Sequence, residues 1–273
     1  MASHEDIRRI LAEDCSKEEV DTEAQLNNSI RFLGKWRSAV IQNILIRREG
    51  TQVLSGPFKG MKLSDDVWWS KNDRITQMLG IYEEHVLERL KDFSTQGASR
   101  FVDIGAADGY FAIGMAYSKI YSKVDAFEIE PKGQNSIKNN SAVNQVENVV
   151  SVFGEADYSS LQNLLSEDIK TSFLVDIEGA EYQLLDEKML LLLSSCYLIC
   201  ELHPWLVDDG YQLQRKLIER ARKKFNVELI KRENYSPNIF SELDGLSDEE
   251  RLIAVGESRE KNMQWLVLTP LQI

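Results

Sequence analysis

The chain reads as an α/β protein of the doubly wound kind with a helical extension at its N-terminus, and three observations predict it. From residue 101 onward, short apolar runs alternate with helical patterns, the arrangement of parallel strands covered on both faces. The first of these runs, "FVDIGAADGYF", leaves its strand through a turn holding Gly105 and Gly109, where open parallel sheets bind ligands. Before residue 100 the apolar spacing is mainly helical.

Taken in order, residues 1 to 48 repeat apolar positions at three and four, among them Ile30, Leu33, Trp36, Val40 and Ile44, which predicts an amphipathic helix packed on something. "TQVLSGPFKGMKL" carries a Gly-Pro and a Lys-Gly pair and predicts a short hairpin. Ile75 to Phe93 is helical again, with Met78, Ile81, Tyr82, His85, Val86 and Leu90 on one side. This divides the chain into a helical extension with a hairpin, residues 1–75, and an α/β domain, residues 76–273. The strands expected there are "FVDIG", "VDAFEIE", "VVSVFGEA", "SFLVDIEG" and "YLICELHP", followed by "NVELIKRE" and "MQWLVLTP". No repeat interrupts them, and five prolines leave no long linker.

Composition sets the outer bounds. A hydrophobic fraction of 43% over 273 residues suffices for a packed core. With 44 acidic against 32 basic residues, the formal net charge of -12 opposes attraction to phosphate backbones, so nucleic acid is not an expected partner. Of the three cysteines, Cys15, Cys196 and Cys200, the last two fall in one predicted strand, where four residues span roughly 13 Å, too far for a disulfide. The charged N-terminus lacks the apolar stretch of a secretion signal, and "MLLLLSSCYLIC" is shorter than the roughly 20 residues a bilayer requires. A cytoplasmic protein without a membrane span is expected, with a homo-oligomer left open.

The glycine turn narrows the ligand. A dinucleotide fingerprint places glycines at its first, third and sixth positions, but here Ala107 and Tyr110 follow Gly105, which argues against a bound pyrophosphate. Nineteen residues after Gly109, Glu128 ends the second strand, where a carboxylate accepts hydrogen bonds from both ribose hydroxyls. Glu155 ends the third, placed to accept from an adenine amino group. A ribose-binding acid without a phosphate-binding turn implies an adenosine ligand lacking phosphates, of which S-adenosyl-L-methionine is the common one.

"FVDIGAADGYF", "AFEIEP", "FLVDIEGAEYQLL" and "LICELHP" together resemble the class I S-adenosylmethionine-dependent methyltransferases, specifically the FkbM-type O-methyltransferases. The resemblance covers roughly residues 80 to 205. It implies a Rossmann-like, seven-stranded, mostly parallel sheet with an antiparallel last strand, and methyl transfer to a hydroxyl of a saccharide, glycoconjugate or natural product. It also implies that Asp103 holds the methionine amino group and that Gly105, Ala107 and Gly109 shape the turn. Glu128 and Glu155 would take the ribose and adenine, with Asp176 at the same cleft.

Methyl transfer requires an acceptor oxygen in line behind the methyl group and a device that removes its proton. "SFLVDIEG" ends in Asp176 and Glu178, Glu181 follows, and the next strand ends in Glu201 and His203. Neighbouring strands would gather these over one cleft. In one version His203 or Asp176 is the base; in the other Asp176, Glu178, Glu201 and His203 hold a divalent cation. The metal-free base is preferred, because the spacing matches no dedicated metal motif. Glu181 reads as a first-turn acid favoured by the helix dipole, Glu178 as a cap, and His203 equally as a satisfied strand end. Trp68, Trp69, Tyr82 and Trp205 would wall an acceptor pocket or simply pack, and Arg251, Arg259 and Lys261 read as charges on a solvated loop. The rival readings are a protein or other small-molecule acceptor, a non-catalytic cofactor-binding module, and a nicotinamide enzyme.

Overall fold

The computed structural model describes residues 22–64, 73–232, 235–257, 259 and 261–271, with side chains from residue 26 onward. The long helix α1 (Thr22–Glu49) reaches the core only along its second half, where Ile41 and Leu45 are fully buried. Ile30 and Leu33 of the expected stripe are 58% and 41% exposed instead. A helical repeat shows which residues share a face, and not how far a partner extends along it.

Residues 51–63 turn back on themselves, with an antiparallel bridge between Gln52 and Lys62 and a Val53 N–H to Met61 C=O bond of 2.9 Å. The segment expected as one helix, Ile75 to Phe93, is two: α2 (Arg74–Leu79) and α3 (Glu84–Thr95). The break falls at Gly80, whose φ of +72° is left-handed and where a Cβ would stand 2.1 Å from the Ser55 carbonyl oxygen. The loop that crosses there leaves room for no side chain, and the backbone cannot continue as a helix.

The α/β part then runs β1 (Arg100–Ile104), α4 (Tyr110–Tyr117), β2 (Lys123–Phe127), α5 (Pro131–Val143), β3 (Val150–Phe153), α6 (Tyr158–Leu165) and β4 (Thr171–Val175). After β4 come α7 (Glu181–Leu184), α8 (Glu187–Leu192), β5 (Tyr197–Leu202), α9 (Gly210–Ala221), β6 (Phe225–Lys231), α10 (Asp248–Val255) and β7 (Gln264–Pro270). The sheet has seven strands in the order β3-β2-β1-β4-β5-β7-β6. β1 to β5 pair in parallel, and β7 lies antiparallel between β5 and β6, as the sequence reading expects of the last strand.

β1, β4 and β5 are buried at every position, as central strands covered on both faces must be, whereas β3 and β6 at the two edges are largely open. Successive side chains alternate between two cores. Phe101, Ala126, Leu174 and Ile199 face a cluster that also holds Ile41, Leu45 and Phe58 of the N-terminal segment. Val102, Phe127, Phe173 and Cys200 face the cluster formed with α6 to α9. Phe58 lies against α4: a Cβ on Gly114 would stand 2.3 Å from its ring. No described helix is long and apolar enough to cross a membrane. β1 has β2 on one side and β4 on the other, so the strand order reverses there and opens a crevice at the strands' carboxyl ends.

Candidate functional site

That crevice is a cleft of about 900 Å³ lined by the ends of β1 to β4 and by α7 and α8. Gly105, at φ +89°, turns the chain out of β1 where a Cβ would stand only 1.7 Å from the Asp176 carbonyl oxygen, so glycine alone lets the ends of β1 and β4 meet. Ala107 is itself left-handed at φ 48°, and its N–H donates to Glu128 Oε2 at 2.9 Å. The other oxygen, Oε1, accepts from Glu130 N–H at 2.9 Å. Glu128 is thus 6% exposed, fixed by two backbone donors, and on the cleft wall. Each oxygen keeps a further lone pair for a hydroxyl. Glu155 lines the outer part of the same cleft and is exposed.

Asp103 is placed differently. It is 3% exposed, lies outside the cleft lining, and accepts from Ala112 N–H at the start of α4 at 3.1 Å. Burial pushes its carboxyl up to about 8, with Asp176 adding and the Ala112 bond opposing.

At the β4 and β5 ends the five expected residues come together. His203 Nε2 stands 3.6 Å from Asp176 Oδ1, 3.6 Å from Glu178 Oε2 and 3.9 Å from Glu201 Oε1, while its Nδ1 is 3.5 Å from Glu181 Oε1. Asp176 and Glu178 also line the cleft, whereas His203 and Glu201 are almost wholly buried behind them. Glu178 is held in the left-handed region at φ 50°, where a non-glycine residue is strained.

Glu181 is the correction here. It does open a short helix, but its side chain is fully buried, and it accepts from Gly179 N–H at 2.7 Å and from His203 N–H at 2.8 Å. It ties the loop after β4 to the end of β5. Burial alone would raise its carboxyl, yet the bonds from His203 and the backbone bring it below the ordinary range. Burial raises Asp176 and drives Glu201 well above its usual range, with their neighbouring carboxylates assisting in Glu201. In His203 burial opposes protonation, but Glu181, Asp176 and Glu178 outweigh it and the imidazole is raised.

Arg259 is not on a solvated loop. It pairs with buried Glu83 at 2.5 Å and Glu257 at 3.5 Å and donates to Tyr82 Oη at 3.2 Å. Arg232 also pairs with Glu257, at 3.3 Å. This buried network adjoins the acidic cluster, and its Arg259–Glu83 pair joins positions too far apart in sequence for any local pattern to signal it. Lys261 is exposed, Arg251 donates to the Pro237 carbonyl, and the Trp205 ring meets that of His203 edge-on at 5.5 Å. Trp68 and Trp69 lie outside the described residues.

No family model matches the chain, and no curated protein matches it. Among solved structures it is similar to an O-methyltransferase from Bacillus cereus in complex with S-adenosylhomocysteine, at 16% identity over 75% of this chain and 94% of that one, TM-score 0.47. It is also similar to the O-methyltransferase TomG from Streptomyces achromogenes in complex with S-adenosylmethionine, at 15% identity over 77% and 92%, TM-score 0.48. An rRNA methylase from Streptococcus thermophilus aligns at 14% identity over 68% and 96%, TM-score 0.44.

Proposed function

We propose that the chain is an S-adenosyl-L-methionine-dependent O-methyltransferase acting on a hydroxyl of a saccharide, glycoconjugate or related natural product. The observation that carries this reading is the charge of the cleft. Among the described residues lining it stand seven carboxylates and a single cation, Lys188. Such a wall repels the phosphates of a dinucleotide and attracts a ligand bearing a sulfonium and an ammonium group. The glycine turn agrees, because the Ala107 N–H that a pyrophosphate would need is already taken by Glu128.

The residues fit the cofactor. Glu128, held by two backbone donors, offers its remaining lone pairs to the ribose hydroxyls, and Glu155 offers an acceptor to the adenine edge. Gly105 and Ala107 bring the turn close beneath. Bound there, the cofactor supplies an electrophilic methyl group on sulfur. Asp176 and Glu178 stand where the cleft meets His203, and this group takes up the acceptor's proton. A volume near the upper end of the usual range for ligand pockets, about 1,000 Å³, leaves room for an acceptor beside the cofactor. The resemblance of "VDIEGAEYQLL" to the FkbM-type enzymes supports a saccharide or natural-product hydroxyl as acceptor.

Calorimetric titration of the full chain with S-adenosylmethionine, S-adenosylhomocysteine and NAD tests the cofactor. The sulfur compounds should bind one per chain and NAD should give no heat; binding of NAD alone would overturn the reading. Mass spectrometry of saccharide acceptors incubated with the protein and cofactor should then show the gain of one methylene unit.

A further inference from the structure

We infer that Asp176 and Glu178 make the cleft select the charged methyl donor over its neutral product, S-adenosylmethionine binding at least about tenfold more tightly than S-adenosylhomocysteine. The preference rests on the cofactor reading proposed above. The two compounds share adenine, ribose and the amino-acid end, so those contacts cancel between them. What differs is one methyl group and one positive charge on sulfur. The sign of the field where the sulfur lies therefore decides the order.

The walls of the cleft give that place. Glu128 and Glu155 lie beyond the ends of β2 and β3, whereas Asp176 and Glu178 line the cleft beyond the end of β4, on the far side of β1. With the nucleoside on the first pair, the sulfur is carried toward the second. Lys188, the one cation among the described lining residues, stands beside the β3 loop instead, its Nζ 3.6 Å from the centre of the Tyr158 ring. Asp176 and Glu178 are 32% and 46% exposed along their side chains, open to the cleft and only partly screened by water.

The charges behind this wall do not cancel it. Asp176 and Glu201 share a side-chain hydrogen bond, hence one proton and one negative charge between them. The His203 imidazole, raised by its acidic neighbours, has buried Glu181 as its own counter-charge, 3.5 Å from Nδ1. Arg259 pairs with Glu83 and Glu257, Arg232 pairs with Glu257, and Asp73 is drawn to both guanidiniums. The Asp176–Glu201 pair and Glu178 are thus left as negative charge facing the cleft, and Asp103 adds to it as it ionises near pH 8. Methyl transfer breaks the bond from sulfur to the methyl carbon and leaves its electron pair on sulfur, while the acceptor oxygen forms the new bond and gives its proton to the cluster. The sulfonium becomes a neutral thioether, and the attraction that held it is gone. The same carboxylates hold the donor and let the spent product leave.

The test is calorimetric titration of the full chain, at about pH 8 and low salt, with S-adenosylmethionine, S-adenosylhomocysteine and sinefungin, in which an ammonium-bearing carbon replaces the methylsulfonium. The donor and sinefungin should each bind at least about tenfold more tightly than the product. That ratio should fall at least about threefold in Glu178→Gln, through the affinity for the two cations alone, and fall likewise for wild type in about 0.5 M sodium chloride. Product binding as tight as the donor's would overturn the inference and leave the proposed cofactor standing. A preference that survives both the substitution and the salt would come from the shape of the pocket and refute it as well. If neither sulfur compound binds, the cofactor reading fails and the preference fails with it.

Discussion

Glu181 receives the N–H groups of both Gly179 and His203, so one buried carboxylate fixes the loop after β4 and the end of β5 together. Changing it to Gln removes the charge that raises the His203 imidazole. The His203 titration followed by NMR should move to lower pH, and stability should fall by about 1–3 kcal/mol for a buried donor left unmatched. An unmoved titration would show that Glu181 only packs. Asp103 gives a second residue-scale expectation. Its folded carboxyl is raised to about 8 against an ordinary value of 3.8, so the native state keeps a proton that the unfolded chain releases. That contribution is complete below the unfolded value and is lost as pH rises through about 8. Urea unfolding of wild type between pH 5 and 8 should therefore show a steeper decline than Asp103→Asn; parallel profiles would contradict it. The five residues of the acidic cluster are legible in the sequence because strand ends of a parallel sheet share one rim. Glu181's second role is not, since a first-turn acid has the same signature whether its side chain faces water or a neighbouring strand. The Arg259–Glu83 pair joins positions 176 residues apart and leaves no local trace.

Elements were legible where short apolar runs lie: all seven strands stand there, whether both faces are buried, as in β1, β4 and β5, or one edge is open, as in β3 and β6. The break between α2 and α3 was not, because its cause sits in Ser55, on another segment. For the same reason the exposed first half of α1 could not be told from its buried second half. The contact of Phe58 with Gly114 makes the N-terminal segment part of the support for α4, the helix that begins at the glycine turn. Phe58→Ala should cost about 3–5 kcal/mol in chemical denaturation. A loss under about 1 kcal/mol would mean that the site had collapsed to fill the space. Gly105→Ala should disturb the ends of β1 and β4 and ligand binding together. The added methyl meets the Asp176 carbonyl, so S-adenosylhomocysteine affinity should fall at least about tenfold even where folded protein is recovered.

Over the whole molecule, the strand order, the switch between β1 and β4 and the acidic lining of the crevice converge on one place. A ligand that binds only the native state raises its stability, by about 2.7 kcal/mol at a hundredfold excess over its dissociation constant. Thermal unfolding should therefore shift upward with S-adenosylhomocysteine and stay unchanged with NAD. The most direct measurement is a crystal structure of the chain with S-adenosylhomocysteine bound. Its ribose hydroxyls should lie within hydrogen-bonding distance of the Glu128 carboxylate, with the sulfur turned toward Asp176. A nucleoside found away from Glu128, or a crevice that stays empty at saturating ligand, would contradict the account.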